Sequence, residues 1–198
     1  MSKKQEIIHA AFDLFAQRGY QSSMAELAIR VKLKTPSLYS HFPSKQDLFY
    51  QMIQEEIHHY FDWLKETIQR YKEENPQDRF EQLAQDILAY FDKKNRRRFW
   101  KNISLIGDEE LRQKCRSLMH QKESEVGPLI GELFQDLVSR GQLKQEQLQG
   151  AMYVYLTMIQ GLMDLILLYD DTSFNREVVI RDTLTFYQNQ LVKPVQDK

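Results

Sequence analysis

Apolar residues recur at intervals of three and four along most of the chain, which is the spacing of an amphipathic helix. The first such stripe comprises Ile8, Ala11, Phe12 and Phe15. Polar residues separate these positions, so one face is expected to be buried. Ser2 and Gln5 form a capping-box pattern ahead of the stripe, and Gly19 suits the position just after a helix. The pattern predicts a first helix that begins at Ser2 and ends at Gly19.

The segment from Ser23 to Leu48 predicts two short helices followed by the start of a third. Ser23 is a candidate cap, and Glu26 completes its capping box. Thr35-Pro36 is a second start signal, in which the hydroxyl caps the helix and proline takes its first position. The side chains expected to point inward are Met24, Leu27, Ala28, Val31, Leu38 and Phe42. Those expected to face outward are Ser37, Tyr39, Ser40 and His41.

Longer periodic stretches cover the rest of the chain. Only seven glycines and five prolines occur in 198 residues, which favours an all-α fold. The predicted helices cover residues 44–71, 77–92, 96–106, 108–139, 148–169 and 175–191. Gly127-Pro128 is expected to kink or break the helix that contains it.

The stretch from Leu148 to Tyr169 is the most apolar and has apolar residues all round the helix. A membrane span is one interpretation, because about 20 apolar residues suffice. Thr157, Gln160 and Asp164 argue against it. We expect instead that one face packs on its own core and another on a second subunit.

The charged residues are unevenly distributed along the chain. Residues 1–50 carry a net +3, whereas the whole chain carries −1. A basic N-terminal segment on an acidic remainder suits a protein that touches phosphate with one end. Cys115 is the only cysteine, and Met1 to Gln5 is polar, so neither a disulfide framework nor a signal peptide is expected. A cytoplasmic protein is the simplest interpretation.

The run T-P-S-L-Y-S-H-F-P-S-K-Q-D-L closely resembles the DNA-binding motif of TetR/AcrR-type transcriptional regulators, and the resemblance covers residues 5–50. It implies an N-terminal helix-turn-helix domain, residues 1–46, and a larger helical ligand-binding and dimerisation domain, residues 47–198. One departure stands out: Lys32 occupies a turn position where the family usually has glycine, because that backbone is often left-handed. Lysine there costs on the order of 1 kcal/mol.

The resemblance also implies which residues meet double-stranded DNA. Tyr39, His41 and Lys45 would hold phosphates, with help from Ser37. The candidates for base edges are Lys34, Thr35, Pro36 and Ser40. Two alternatives remain open: Tyr39 could pack beneath the motif, and Lys45 could be an ordinary surface lysine.

The second predicted site is an effector pocket in the larger domain, which the resemblance implies. Aromatic and methionine residues are concentrated there, which favours a mostly apolar ligand. The candidate lining residues are Phe91, Phe99, Trp100, Ile103, Met119, Tyr155 and Met158. A plain hydrophobic core is the alternative for each of them.

The basic run from Lys93 to Lys101 could meet a second anionic partner, although a solvated helix junction is the simpler interpretation. His58 and His59 are adjacent and cannot easily chelate one metal ion from a helix. No nucleophile elbow, phosphate loop or dinucleotide fingerprint occurs, so neither an enzyme nor a cofactor is expected.

The sequence thus predicts a bacterial transcriptional regulator without enzymatic activity. It is expected to repress by binding a near-palindromic operator as a homodimer through the helices at 148–169 and 175–191, and to be released by a small effector. A ligand-dependent activator and an all-α ligand-binding protein without DNA activity are the alternatives.

Overall fold

The computed structural model describes residues 2–168 and 175–191. Within these ranges every regular element is helical, so the all-α prediction is confirmed. The helices are α1 (Lys3–Arg18), α2 (Met24–Arg30), α3 (Thr35–Tyr39), α4 (Lys45–Tyr71), α5 (Pro76–Phe91), α6 (Lys94–Ser104), α7 (Glu109–Ser139), α8 (Leu148–Leu168) and α9 (Arg176–Leu191). Short 3-10 turns lie at Gly19–Gln21 and Gln145–Gln147.

The chain folds into two compact units. Unit 1 comprises Met1–Phe61 and Lys93–Lys122, and unit 2 comprises Asp62–Asp92 and Glu123–Lys198. Unit 1 therefore contains α1, α2 and α3 together with α6, which is distant in sequence. The functional boundary predicted between residues 46 and 47 stays a prediction.

In unit 1, α1 forms as the sequence indicates. Ser2 caps it in a complete capping box, and Gly19 ends it with a φ of 62°. Its buried face packs on α6, where the Phe12 and Phe99 rings stack with centroids 4.5 Å apart. Asn102 of α6 donates hydrogen bonds to the Phe15 and Ala16 carbonyls in the last turn of α1, so α6 also supplies donors to the α1 C-terminus.

The start of α2 agrees with the prediction, and the start of α3 does not. Ser23 and Glu26 form the predicted capping box. The predicted cap at Thr35 is wrong: α3 begins at Thr35, its N-cap is Lys34, and no side chain caps it. Thr35 therefore lies inside the first turn, where its hydroxyl cannot act as the N-cap acceptor. The fixed φ of Pro36 in that same turn suits the helix start without a cap.

The core of unit 2 contains an aromatic cluster. Phe80 packs on Phe134 and Tyr155, with ring centroids 4.6 Å and 5.3 Å away. The Tyr155 hydroxyl donates to the Phe80 carbonyl at 2.9 Å. Beside the cluster lies Arg79, which is fully buried and paired with Asp136 at 2.9 Å. The helices α5, α7 and α8 are joined here by both apolar and polar contacts.

The structure corrects the prediction of a possible break at Gly127-Pro128. The helix α7 runs unbroken through Pro128 to Ser139. An internal proline costs a helix about 3 kcal/mol. The turns on its C-terminal side bury Ile130, Leu133 and Phe134 in unit 2. This packing holds the segment helical in spite of the proline.

The helix α8 carries apolar side chains on more than one face. Tyr155, Ile159, Leu162 and Ile166 are buried, whereas Tyr153, Val154 and Leu156 are exposed. By length and hydropathy, residues Gln145–Leu167 could also cross a membrane, although a core helix passes the same test. The last residue of the predicted stretch, Tyr169, lies outside the described residues, as does the Leu191 side chain on α9.

Candidate nucleic-acid interface

The short helix α3 is anchored from one side and presents polar groups on the other. Leu38 and Phe42 are both 0% exposed, so they fix α3 against unit 1, as predicted. Thr35 is half-buried. The predicted DNA-contacting residues that are exposed around the buried Leu38 and Phe42 are Lys34, Pro36, Ser37, Tyr39, Ser40 and His41.

Tyr39 faces solvent with 45% of its surface exposed. The alternative that it packs beneath the motif does not fit this exposure. The neighbouring Ser40 hydroxyl donates to the Ser37 carbonyl at 2.7 Å and stays within the helix. The surface of α3 thus combines an accessible phenol with small hydroxyl groups and backbone, which can approach DNA closely.

The turn between α2 and α3 has the left-handed residue that the family resemblance implies. Lys32 has a φ of 56°, the only positive value of a non-glycine residue among those described. The Leu33 N–H donates to the Ala28 carbonyl at 2.9 Å and the Lys32 N–H to the Ile29 carbonyl at 3.1 Å, which is a Schellman pattern. Lys32 therefore adopts a left-handed backbone conformation, which has a steric cost for lysine that glycine would not have.

Sequence reasoning missed the role of Lys3. Its ammonium group donates to the Val31 carbonyl at 3.1 Å and pairs with Glu6 at 2.9 Å. Val31 is the C-cap of α2, where cations are favourable. Lys3 thus secures α1 to the end of α2. Only the three-dimensional proximity of these helices reveals this contact.

Lys45, at the start of α4, is half-buried and held by Tyr20. Its ammonium group donates to the Tyr20 carbonyl and lies 4.3 Å from the centroid of the Tyr20 ring. Burial lowers the pKa of Lys45, and the charge of Asp108 opposes that effect. The alternative of an unconstrained surface lysine does not fit these contacts.

Asp108 joins the start of α7 to the helix-turn-helix segment. Its carboxylate accepts hydrogen bonds from the Tyr20 hydroxyl and the Gln46 amide, both at 3.2 Å, and from the Leu111 N–H at 3.0 Å. The Leu111 N–H is the largest influence that lowers the pKa of Asp108. Burial, with help from Asp108, raises the pKa of Tyr20 to about 12. The sequence indicated Asp108 only as a residue at a helix start.

Residues 7–52, which run from α1 into α4, match the family model described as bacterial regulatory proteins, tetR family. The N-terminal part of the chain belongs to the TetR family. A curated relative, the HTH-type transcriptional activator FasR of Mycolicibacterium smegmatis, is 26% identical over 91 residues. That match covers 46% of this chain and 39% of FasR, so the chain spans well under two thirds of that relative's length.

Solved structures of transcriptional regulators share the fold over nearly the whole chain. A regulator from Mesorhizobium loti MAFF303099 superposes with a TM-score of 0.74 at 18% identity, covering 95% of this chain and 96% of that one. The regulator FadR from Bacillus subtilis, in complex with stearoyl-CoA, has a TM-score of 0.69 at 16% identity, covering 97% and 99%. At these identities the likeness shows the fold of the chain.

The seven predicted effector-lining residues divide between the two units. Phe99, Trp100, Ile103 and Met119 lie in unit 1, and Phe91, Tyr155 and Met158 lie in unit 2. Phe99 is 0% exposed and packs on Phe12 and Phe15 of α1, and Tyr155 belongs to the aromatic core of unit 2. Ile103, Met119 and Met158 are half-buried. Lining of an effector site by these residues stays a prediction.

The basic run lies on α6 and is partly engaged within unit 1. Arg96 pairs with Glu56 of α4 at 2.9 Å, and the Trp100 indole donates to the same carboxylate at 3.3 Å. Lys93 and Arg98 are exposed. Among the described residues, no cluster of three or more His, Cys, Asp or Glu side chains is placed to hold a metal ion.

Proposed function

We propose that this TetR-family regulator is a repressor that binds a near-palindromic operator as a homodimer. The observation that carries this proposal is α3: Leu38 and Phe42 fix the helix from behind, while Tyr39 and its polar neighbours face solvent. A helix held in this way can enter the major groove without first ordering itself. The motif residues position the protein on phosphates, and the small residues at the α3 start read base edges.

The homodimer is supported by exposed apolar side chains in unit 2. Tyr153, Val154 and Leu156 on α8 are 60%, 57% and 40% exposed, and Phe186 on α9 is 69% exposed. Exposed apolar side chains gathered on two neighbouring helices suit a subunit interface. A dimer would present two copies of α3 to successive turns of the duplex, about 34 Å apart.

The general proposal for the effector is a small, mostly apolar molecule. We infer that long-chain acyl-CoA, a larger ligand whose acyl chain is apolar and whose head carries phosphates, is the specific class to test first. FadR from Bacillus subtilis, which has the same fold, was solved in complex with stearoyl-CoA. Lys93, the N-cap of α6, and Arg98 within α6 are exposed cations, which suit the phosphates of coenzyme A. The ligand would act by binding the DNA-free state more tightly than the DNA-bound state.

Direct DNA binding is the primary test of the proposal. Duplexes selected from a random pool by the purified protein would define the operator, and fluorescence anisotropy would then give Kd as a function of salt. We expect Tyr39→Ala and Lys45→Ala both to weaken binding. Only Lys45→Ala should also reduce the salt slope, by about 0.9, because lysine neutralises a phosphate and the uncharged tyrosine does not. Lys144→Ala, which removes an exposed lysine of unit 2, is the matched control. An unchanged Kd for both motif variants, with an unchanged salt slope for Lys45→Ala, would remove the DNA-contact assignment.

A ligand-dependent activator is the second candidate, because the curated relative FasR is an activator. The two functions differ in what the protein does once it is bound beside a promoter. In vitro transcription from the selected operator, with and without stearoyl-CoA, separates them. Reduced transcript that stearoyl-CoA restores supports the repressor, whereas protein-dependent transcript supports the activator.

A further inference from the structure

The Lys45 ammonium group is not free in solvent, although the family motif implies that it contacts a DNA phosphate. The ammonium group is bound to the Tyr20 carbonyl and lies over the Tyr20 ring, with the Phe49 ring centroid 5.6 Å away. An ammonium group has three donors, and one of them is occupied here. To meet a phosphate fully, Lys45 has to give up part of these interactions. Whatever holds Tyr20 in place therefore influences how readily Lys45 is released.

Asp108 fixes the position of the Tyr20 side chain by a hydrogen bond. The Tyr20 hydroxyl donates to one carboxylate oxygen of Asp108, and the Gln46 amide donates to the other. Gln46 follows Lys45 directly in the first turn of α4. Asp108 also accepts from the Leu111 N–H and so is fixed to the first turn of α7. One carboxylate thus links the start of α7 to Tyr20, which contacts the Lys45 ammonium group, and to Gln46, the next residue in the chain.

We propose that Asp108 is a positioning residue that restrains Lys45 from the DNA backbone, so that operator affinity depends on where the start of α7 holds this carboxylate. This inference rests on the DNA-binding function proposed above. Two effects of the charge act in the same direction. The carboxylate attracts the ammonium group toward Tyr20, and it repels a phosphate that approaches the same place.

The carboxylate is more than a helix cap in this arrangement. As an N-cap alone, Asp108 would be replaceable by asparagine, which caps a helix about equally well. Asp108→Asn keeps the size and an acceptor oxygen while removing the charge. A purely structural role therefore predicts unchanged operator binding, whereas the proposed restraint predicts tighter binding that requires Lys45.

A double-mutant cycle tests the proposal. Operator Kd would be measured at about 0.15 M ionic strength for the full-length protein, Asp108→Asn, Lys45→Gln and the double variant. We expect Asp108→Asn to tighten binding roughly two- to fivefold, the range of a single exposed charge interaction. In the Lys45→Gln background, the same substitution should change Kd by less than half of that factor.

A matched control distinguishes the proposed restraint on Lys45 from a general electrostatic effect of removing one negative charge. Glu109→Gln removes one negative charge from the same helix start, where Glu109 pairs with Arg112 and not with Tyr20. We expect its smaller effect on Kd to be the same with and without Lys45. Thermal unfolding of all variants checks that each one is folded.

The outcomes separate this inference from the function on which it rests. If the wild-type protein selects no duplex, the proposed function itself fails. If it binds an operator but Asp108→Asn weakens binding, leaves it unchanged, or tightens it equally without Lys45, the restraint is overturned and DNA binding stands.

Discussion

The side-chain amide of Asn102 donates to the Phe15 carbonyl at 2.7 Å and to the Ala16 carbonyl at 3.2 Å. Both carbonyls belong to the last turn of α1, where backbone donors run out, although the Gly19 N–H also donates to the Phe15 carbonyl. Asn102 lies on α6, so α6 completes a helix that supports the DNA-binding motif. A Cβ atom at the neighbouring Gly19 would lie 3.6 Å from the Asn102 side chain, which shows how closely the two segments approach.

Replacing Asn102 tests the importance of this interaction. We expect Asn102→Ala to lower the free energy of unfolding by about 1–3 kcal/mol, because it removes two hydrogen bonds from part-buried carbonyl groups. Urea unfolding followed by circular dichroism measures the change. Asn95→Ala is the control, since its bond to Asp13 at 3.2 Å is exposed. Equal losses for the two variants would contradict the assigned role of Asn102.

Lys32 provides a second test, in which the substitution is expected to raise the free energy of unfolding. Its φ of 56° is left-handed, and glycine adopts such a backbone without a Cβ clash. We therefore expect Lys32→Gly to stabilise the protein by up to about 1 kcal/mol, less the entropy that glycine adds to the unfolded chain. Arg30→Gly, in the last turn of α2, should instead destabilise by about 1 kcal/mol. Denaturant midpoints at constant m-value check both signs.

The sequence was sufficient for the parts of the fold that depend on local signals. The capping boxes at Ser2 and Ser23 and the buried pair Leu38 and Phe42 follow from spacing alone, and the structure has all of them. The Thr35 cap was wrong because a hydroxyl before proline fits either the cap or the first turn. Local sequence does not distinguish these two positions.

The contacts around the site could not be predicted because they join residues distant in sequence. Tyr20 and Asp108 are 88 positions apart, and Lys3 and Val31 are 28 apart. Neither pair carries a local signature. The hydrophobic pattern also does not predict which polar side chains are buried. Arg79, near the helix start at Pro76, resembles an ordinary surface arginine in the sequence, yet it is fully buried. The packing of α5 on its neighbours decides that burial.

The buried ion pair of Arg79 and Asp136 predicts a large loss of stability. The Arg79 guanidinium also donates to the Leu133 carbonyl at 2.6 Å. Arg79→Met removes these bonds from a site with 1% side-chain exposure, and we expect destabilisation of about 3 kcal/mol. Arg140→Met breaks the more exposed pair that Asp136 makes with Arg140 and should cost less than about 1 kcal/mol. Comparable losses from both would show that the burial of Arg79 does not matter.

The phenol of Tyr20 predicts a change of stability at alkaline pH. Its pKa is raised from 10.0 to about 12, mainly by burial and further by the Asp108 carboxylate. A raised pKa means that the folded state holds the proton more tightly than the unfolded state. The resulting stability is complete below pH 10 and is lost as the pH rises toward 12. Denaturant midpoints measured across this interval should fall less steeply for Tyr20→Phe than for the wild type.

Absorbance of the phenolate gives an independent measurement of the same group. The difference between the wild-type and Tyr20→Phe titrations should contain one tyrosine with an apparent pKa near 12. Tyr39→Phe is the control, because the Tyr39 side chain is exposed on α3. A Tyr20 difference curve centred near 10 would contradict the assigned environment.

The exposed apolar residues of unit 2 predict how the proposed dimer dissociates. Leu156 and Phe186 are 40% and 69% exposed, so a charge at either position is tolerated by the folded subunit but not by an apolar interface. We expect Leu156→Glu and Phe186→Glu to form monomers in sedimentation equilibrium and to bind the operator far more weakly than the wild type. Leu105→Glu introduces the same charge at an apolar residue of unit 1 that is 69% exposed, and it should stay dimeric. Monomeric wild-type protein would contradict the proposed assembly, and dimeric Glu variants would place the interface elsewhere.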